Sequence, residues 1–267
     1  MILKKRFNSV KKRKRKIRNT GDVENARKIF YSKKNKNLYF LLKKRYDWMN
    51  SYIEGDQYGI EVGSGSGLSK EFINSKNYLI TDFTDKEWLD KKMIDALNTN
   101  LVSNSFDFVI ASNMIHHVPY PMLFFKEMDR ILKPGGHMII QDVNCSLMLK
   151  LLLVLMNHEG YDSTVDVFDK RKICTDPQDL WAGNNSIPNL LFDNEKKFEK
   201  EINQFKVIYH SYSEFFTFIN SGGVVSKIFY IPLPNFLLKL FYFIDTILCK
   251  LAPSFFALQR QIVLKKS

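Results

Sequence analysis

A chain of 267 residues with 45% hydrophobic side chains can bury a full core, which excludes a wholly disordered protein. The formal net charge of +12 is lodged at one end: residues 1–18, MILKKRFNSVKKRKRKIR, hold ten Lys or Arg and no acid, leaving +2 for the remainder. Cys145, Cys174 and Cys249 are far apart and odd in number, which fits a reducing compartment and excludes a disulfide framework or zinc spacing.

The basic segment reads as a solvated, disordered arm, and the same charge suits RNA or anionic lipid headgroups. No apolar run follows it, so it is not read as a secretory signal. ENARKIFYSKKNKNLYFLLKKRYDWMNSYI predicts one or two helices. YGIEV is a short buried strand, GLSKEFINSK the helix leaving it, and NYLITD the next strand. EWLDKKMIDA is expected to be helical, FDFVIASN is an apolar strand, and YPMLFFKEMDRIL is an amphipathic helix with Leu123, Phe124, Met128, Ile131 and Leu132 on one side. KPGG is expected to end that helix before the strand HMIIQDV. Strand–helix alternation of this kind predicts a parallel sheet with helices on both faces.

From about Asn144 to Gln204 the rhythm breaks into an insertion far longer than the roughly 2–6 residues of ordinary α/β loops. KVIYHSYS and FALQRQIVLKK read as two final strands around an apolar helical region. LMLKLLLVLM and NFLLKLFYFIDTILCKL are the greasiest stretches. Both carry charges and fall short of the roughly 20 apolar residues a membrane span needs. On a helix, Asn235, Lys239, Tyr242, Thr246 and Cys249 form a narrow polar stripe in an otherwise apolar surface. That pattern suits a membrane surface, an internal wall or a dimer interface.

The stretch YGIEVGSGSGLSKEFI places Gly63, Gly65 and Gly67 at every second position after a strand. Bare backbone there lets N–H groups approach a polar ligand at the carboxyl end of a parallel sheet. The spacing departs from the dinucleotide pattern G-x-G-x-x-G, and no G-K-[ST] follows, so a phosphate loop is excluded. Asp82 lies about 20 residues on, where a carboxylate can accept both hydroxyls of a ribose.

Between about Gly59 and Val143 the sequence resembles the class I S-adenosylmethionine-dependent methyltransferases of the small-molecule type. EVGSGSG, ITD, MIDA, FDFVIASNMIHHV and LKPGG occur in the family's order. The resemblance implies a Rossmann-like fold: a mostly parallel, seven-stranded sheet with helices on both faces and an insertion after the fifth strand. It also implies S-adenosylmethionine as cofactor. Gly63, Gly65 and Gly67 would pass under its methionine part, and Glu61 would orient the ammonium group. Asp82 would hold the ribose, Phe83 would cover the adenine, Asp95 and Ala96 would meet its edge, and Ser112 and Asn113 would line the methionine side. Asp95 as a surface acid, and Phe83 and Asn113 as core or turn residues, are the plainer alternatives.

Methyl transfer needs alignment above all, and a base only where the acceptor keeps its proton. The place after the fourth strand reads SNMIHH, not [DN]-P-P-[YF], and no Pro-Cys pair occurs, which weighs against adenine, amide and cytosine-C5 acceptors. An oxygen on a small molecule, glycan or lipid-linked acceptor fits better. Candidate bases are His116, His117 and His158, with Glu159 beside the last; the catalytic set is His158, Glu159 and His117, with no metal. Asn184, Asn185, Gly222 and Gly223 are candidate lining or turn residues. The organisation expected is a tail (1–20), N-terminal helices (21–55), a cofactor-binding core (56–143), a substrate-side insertion (144–204) and C-terminal strands with an apolar helix (205–267). The expected setting is cytoplasmic, with contact at the inner membrane face. An RNA methyltransferase guided by the basic tail and a non-catalytic cofactor-binding partner subunit are the alternatives.

Overall fold

A computed structural model describes residues 21–156, 159–225 and 228–267. The basic segment and His158, both singled out above, lie outside these residues.

Two helices precede the sheet, α1 (Val23–Tyr31) and α2 (Lys36–Asp47). Each starts on a side chain that accepts an otherwise orphaned N–H: Asp22 from Asn25, and Asn35 from Leu38. The strands β1 (Tyr58–Glu61), β2 (Asn77–Ile80), β3 (Phe106–Ser112) and β4 (Leu132–Val143) pair in parallel, with α3 (Pro121–Ile131) between the last two. The insertion contributes α4 (Leu147–Met156), α5 (Ile187–Phe192) and α6 (Glu195–Glu201). Then come β5 (Phe205–Ser213), the short α7 (Phe216–Ile219), α8 (Asn235–Leu251) and β6 (Gln259–Lys266).

The sheet order is β2-β1-β3-β4-β6-β5, with β6 antiparallel to both neighbours. Side chains alternate across it as strand geometry demands. Ile60, Val109, Met138 and Leu264 share one register row and pack into one core with Phe124, Phe125 and Phe192. Phe108, Ile110, Ile139 and Val263 face the other way, against Leu38, Leu42 and Met49. A smaller cluster, containing Leu149, Leu153, Cys249 and Leu258, lies under α4 and α8.

Four expectations change. Among the described residues the sheet has six strands, not seven: beyond β2 only the bridge Thr81–Lys91 forms there. There Asp90 accepts from the Ile80 N–H through its carboxylate and donates its own N–H to the Ile80 carbonyl, so a turn takes the ladder's place. This also removes the helix expected over EWLDKKMIDA. After the glycine loop, the helix shrinks to the single 3-10 turn Leu68–Glu71. Asn50 holds the chain off a helical course by donating to the Phe72 carbonyl and accepting from the Asn74 N–H. KPGG lies inside β4, not before it, at a break in register between Phe106–Leu132 and Phe108–His137.

One buried polar network joins the two ends of the chain. Arg45 of α2 donates from Nε and Nη2 to the two carboxylate oxygens of Glu214, at 2.9 and 2.6 Å. Gln141 of β4 donates to the same carboxylate and accepts from the Trp48 indole. Removing one partner of such a pair leaves a buried charge without compensation. Glu214→Ala is expected to lower stability by about 3–5 kcal/mol, measured by urea unfolding; a loss near zero would show that Arg45 finds water or another partner.

Candidate active site

The carboxyl ends of the parallel strands open onto a cavity of about 1090 Å³. Its floor at one end is the glycine loop. Gly63, Gly65 and Gly67 all have positive φ, between 52° and 69°, and a Cβ on Gly67 would stand 2.7 Å from Ile80. Backbone conformation disfavours side chains at all three positions, and at Gly67 space excludes one as well.

Asp82, just past the tip of β2, ties the loop down. Its Oδ2 accepts from the Gly65 N–H at 2.9 Å, and its Oδ1 accepts from the Thr84 N–H and hydroxyl. Phe83, Asp95, Ala96, Ser112 and Asn113 line the same cavity, together with Gly63, Gly65 and Asp82. Gly67 shapes the loop from behind. Asn113 takes a left-handed φ of 53° and donates its N–H to the Gln141 carbonyl.

Glu61 is placed differently from the expectation. Its carboxylate is buried behind the loop, accepting from the Ser69 hydroxyl and, at 3.1 Å, from the Tyr78 hydroxyl. Burial pushes its pKa up to about 7, against the lowering effect of those hydrogen bonds. It buttresses the loop and is not among the cavity-lining residues. Over the loop lies α1, where Arg27 donates to the Ser66 carbonyl at 2.6 Å and stacks on Trp88, whose indole donates to the Gly65 carbonyl. This cover is not evident from sequence spacing.

At the other end of the cavity, four titratable groups converge. Asp142, fully buried at the end of β4, accepts from the Ile115 and Val143 N–H groups and pairs with His116 Nδ1 at 2.5 Å. His116 Nε2 lies 3.4 Å from Glu159 Oε2, and His117 Nε2 lies 3.7 Å from Glu159 Oε1. Burial disfavours charge on His116, yet the two carboxylates outweigh it and raise its pKa to about 10. His117 moves the other way, to about 4, because it is partly buried and faces charged His116. His117 Nδ1 meets the Ala182 carbonyl at 3.3 Å; as a neutral ring it donates there, which leaves the Nε2 lone pair turned toward Glu159. The ligand atoms of His116, His117 and Glu159 all lie within 4.8 Å of one another, close enough to converge on one metal ion.

The insertion supplies the frame. Asn185 donates to the Gly160 carbonyl and lies 3.4 Å from Glu159, whereas Asn184 is spent on backbone groups of Asp162, Cys174 and Ser186. Gly223 reaches the cavity wall. The sequence motif HH pointed to this corner; the partnership of His116 with Asp142 was not legible because the two are 26 residues apart.

Known proteins can be set beside this geometry. The family described as "Methyltransferase domain" matches residues 60–140, the span that holds the glycine loop, Asp82, Asp95 and both histidines. Residues 60–140 are those of a methyltransferase domain. The S-adenosylmethionine that the sequence leads one to expect is compatible with this cavity, whose bare loop and the carboxylates of Asp82 and Asp95 suit a nucleoside bearing a cationic sulfur. Highly reducing polyketide synthase aurA from Calcarisporium arbuscula is similar at 26% identity over an alignment of 125 residues, covering 38% of this chain and 5% of that protein's length. Among solved structures, a SAM dependent methyltransferase from Archaeoglobus fulgidus is similar at 16% identity, covering 85% of this chain and 93% of that one, with a TM-score of 0.49. An S-adenosylmethionine dependent methyltransferase from Mesorhizobium loti is similar at 12% identity over 82% and 96% of the two chains, with a TM-score of 0.45.

Two measurements test the site. Asp82→Ala is expected to weaken S-adenosylmethionine and S-adenosylhomocysteine binding by about tenfold or more, as for the loss of charged hydrogen bonds, with circular dichroism unchanged. Equal affinity by calorimetry would remove Asp82 from the cofactor site. The raised pKa of His116 means that its pairing stabilises the fold fully below pH 6.5 and is lost as pH rises toward 10. His116→Asn is expected to flatten the alkaline limb of a denaturant-midpoint profile; an unchanged limb would show that His116 is neutral in the fold.

Proposed function

We propose that this methyltransferase transfers the methyl group of S-adenosylmethionine to a hydroxyl oxygen of a small-molecule, glycan or lipid-linked acceptor. The observation that carries this reading is the chain Asp142–His116–Glu159–His117, buried at one end and open to the cavity at the other. An alcohol keeps its proton at neutral pH, so its methylation calls for a base in a way that an amine's need not.

The cofactor, when bound, supplies an electrophilic methyl carbon on a sulfonium. Gly63 and Gly65 give it close backbone approach, Asp82 holds the ribose, Phe83 covers the adenine, Asp95 and Ala96 meet the adenine edge, and Ser112 and Asn113 flank the methionine portion. Asp142 fixes the ring orientation of His116, whose Nε2 is thereby held 3.4 Å from Glu159 Oε2. Glu159 and neutral His117 face each other at the cavity wall and take the proton that the acceptor oxygen gives up as its bond to carbon forms. Leu149, Leu152, Leu153 and Met156 of α4 line the adjoining wall, which suits an acceptor with an apolar portion.

The test is Glu159→Gln and His117→Ala, assayed for turnover and for cofactor affinity separately. Turnover is expected to fall by about 10²–10⁴-fold while cofactor affinity stays within error. Dialysis against a chelator is expected to leave turnover unchanged. A loss that a divalent cation restores would make the same three side chains metal ligands instead of a proton relay. Full turnover in both variants would remove the cluster from the chemistry.

A further inference from the structure

Helix α8 is apolar on two opposite sides. Leu238, Asp245 and Cys249 face inward: Cys249 packs in the small core, and Asp245 accepts the N–H groups of Phe215, Phe216 and Thr217. On the far side stand Phe236, Leu240, Phe243, Ile247 and Leu251, all exposed, with Phe243 at 61% and Leu251 at 77%. Steps of four, three, four and four residues keep the five within an arc of about 80° at 100° per residue. The outer face of a surface helix is ordinarily its polar one. Here the expected polar stripe is split: Cys249 is buried and Tyr242 partly buried beneath the Lys44 ammonium, while Asn235, Lys239 and Thr246 stay outside.

Helix α4 repeats the pattern. Leu149 and Leu153 are buried, and with Leu152 and Met156 they line the cavity, while Leu147, Leu151, Val154 and Leu155 are exposed, Leu155 at 80%. The two helices meet through the turn after α8, where the Leu147 and Met148 N–H groups donate to the Ser254 and Phe255 carbonyls and Phe255 is itself exposed. The apolar surface therefore continues from Leu251 through Phe255 to α4.

The exposed charges that the two helices themselves carry have one sign. Lys239 and Lys250 lie on α8 within about 40° of the edge of the apolar row, and Lys150 lies on α4. The only acid in either helix, Asp245, is turned inward. A second copy laid on this face would bring lysines and apolar rows together with no acid from these helices to meet the lysines. An anionic bilayer meets both features at once, since apolar side chains enter the acyl boundary and lysines meet the headgroups. The net charge of +12 acts in the same direction.

We propose that the α4–α8 face docks on an anionic lipid bilayer, so that α4 stands between the membrane and the cavity and the acceptor is lipid-linked. The choice of acceptor rests on the hydroxyl-methylation reading above; the docking itself does not. No described helix is long and apolar enough to cross a membrane, so the contact is with its surface.

The test is flotation of the full chain with phosphatidylcholine vesicles and with vesicles of equimolar phosphatidylcholine and phosphatidylglycerol. Wild type is expected to float with the second. Phe243→Asp with Leu251→Asp is expected to lower that partition on the order of tenfold or more while leaving calorimetric cofactor affinity unchanged. Lys239→Glu with Lys250→Glu is expected to lower it in low salt and to matter little in high salt. Wild type that stays in the soluble fraction overturns the proposal, as does a Phe243/Leu251 variant that floats normally. So does flotation abolished only by deleting residues 1–18, or a dimer in light scattering that the Phe243/Leu251 variant alone dissolves. Docking that persists when Glu159→Gln leaves turnover intact would retire the proton relay and keep the membrane surface.

Discussion

The end of β4 sets two neighbouring side chains, Gln141 and Asp142, fully buried and on opposite faces of the sheet. A buried polar group must find partners or lose on the order of 1–3 kcal/mol, and the alternation of a strand sends these two to different places. Gln141 reaches Trp48 and the Arg45–Glu214 pair, which joins the N-terminal helices to the segment after β5. Asp142 reaches the Ile115 N–H and His116, which fixes the loop after β3. One dipeptide thus clamps the outer elements on one side of the sheet and orients the cavity's titratable groups on the other.

The insertion then works as a frame for what Asp142 begins. Glu159 alone would be a carboxylate at low dielectric, an unfavourable arrangement unless a cation stands beside it. His116 supplies that cation, because Asp142 holds it protonated. The cost falls on His117, whose charged form is opposed both by burial and by its neighbour. Two adjacent histidines of identical chemistry are thereby driven to opposite protonation states by their surroundings alone.

The repetitive parts of the fold were legible in the sequence. β1, β3, α3, β5 and β6 come from apolar runs bounded by turn residues, and the distance of Asp82 beyond the glycine loop matches its place beside Gly65. Local patterns failed where a side chain replaced backbone pairing: Asp90 at the sheet edge, and Asn50 beside the 3-10 turn. Glu61 was misplaced for a related reason, since nothing in EVGSGSG announces that Ser69 and Tyr78 will claim its carboxylate. The pairs Arg45–Glu214 and His116–Asp142 join residues 169 and 26 positions apart, and separation in sequence carries no trace of such partnerships. The outer row of α8 was left open between a membrane surface, an internal wall and a dimer interface, because periodicity reports that a face is apolar, not what lies against it.

The cover over the glycine loop is lightly built. Among the residues of α1 only Ala26 is buried, and the helix is fastened by Arg27 to Ser66, the Tyr31 hydroxyl to Glu71, the exposed pair Lys86–Glu24, the Asp22 N–H to the Val225 carbonyl, and Phe30 edge-on to Phe72. Exposed pairs of this kind contribute about 0–1 kcal/mol each. Segments so fastened lift away at a small fraction of the global unfolding free energy. Opening of this cover would bare the glycine loop while the sheet and its clamped dipeptide stay closed, so the loop's exposure to solvent is set by α1 and not by the core.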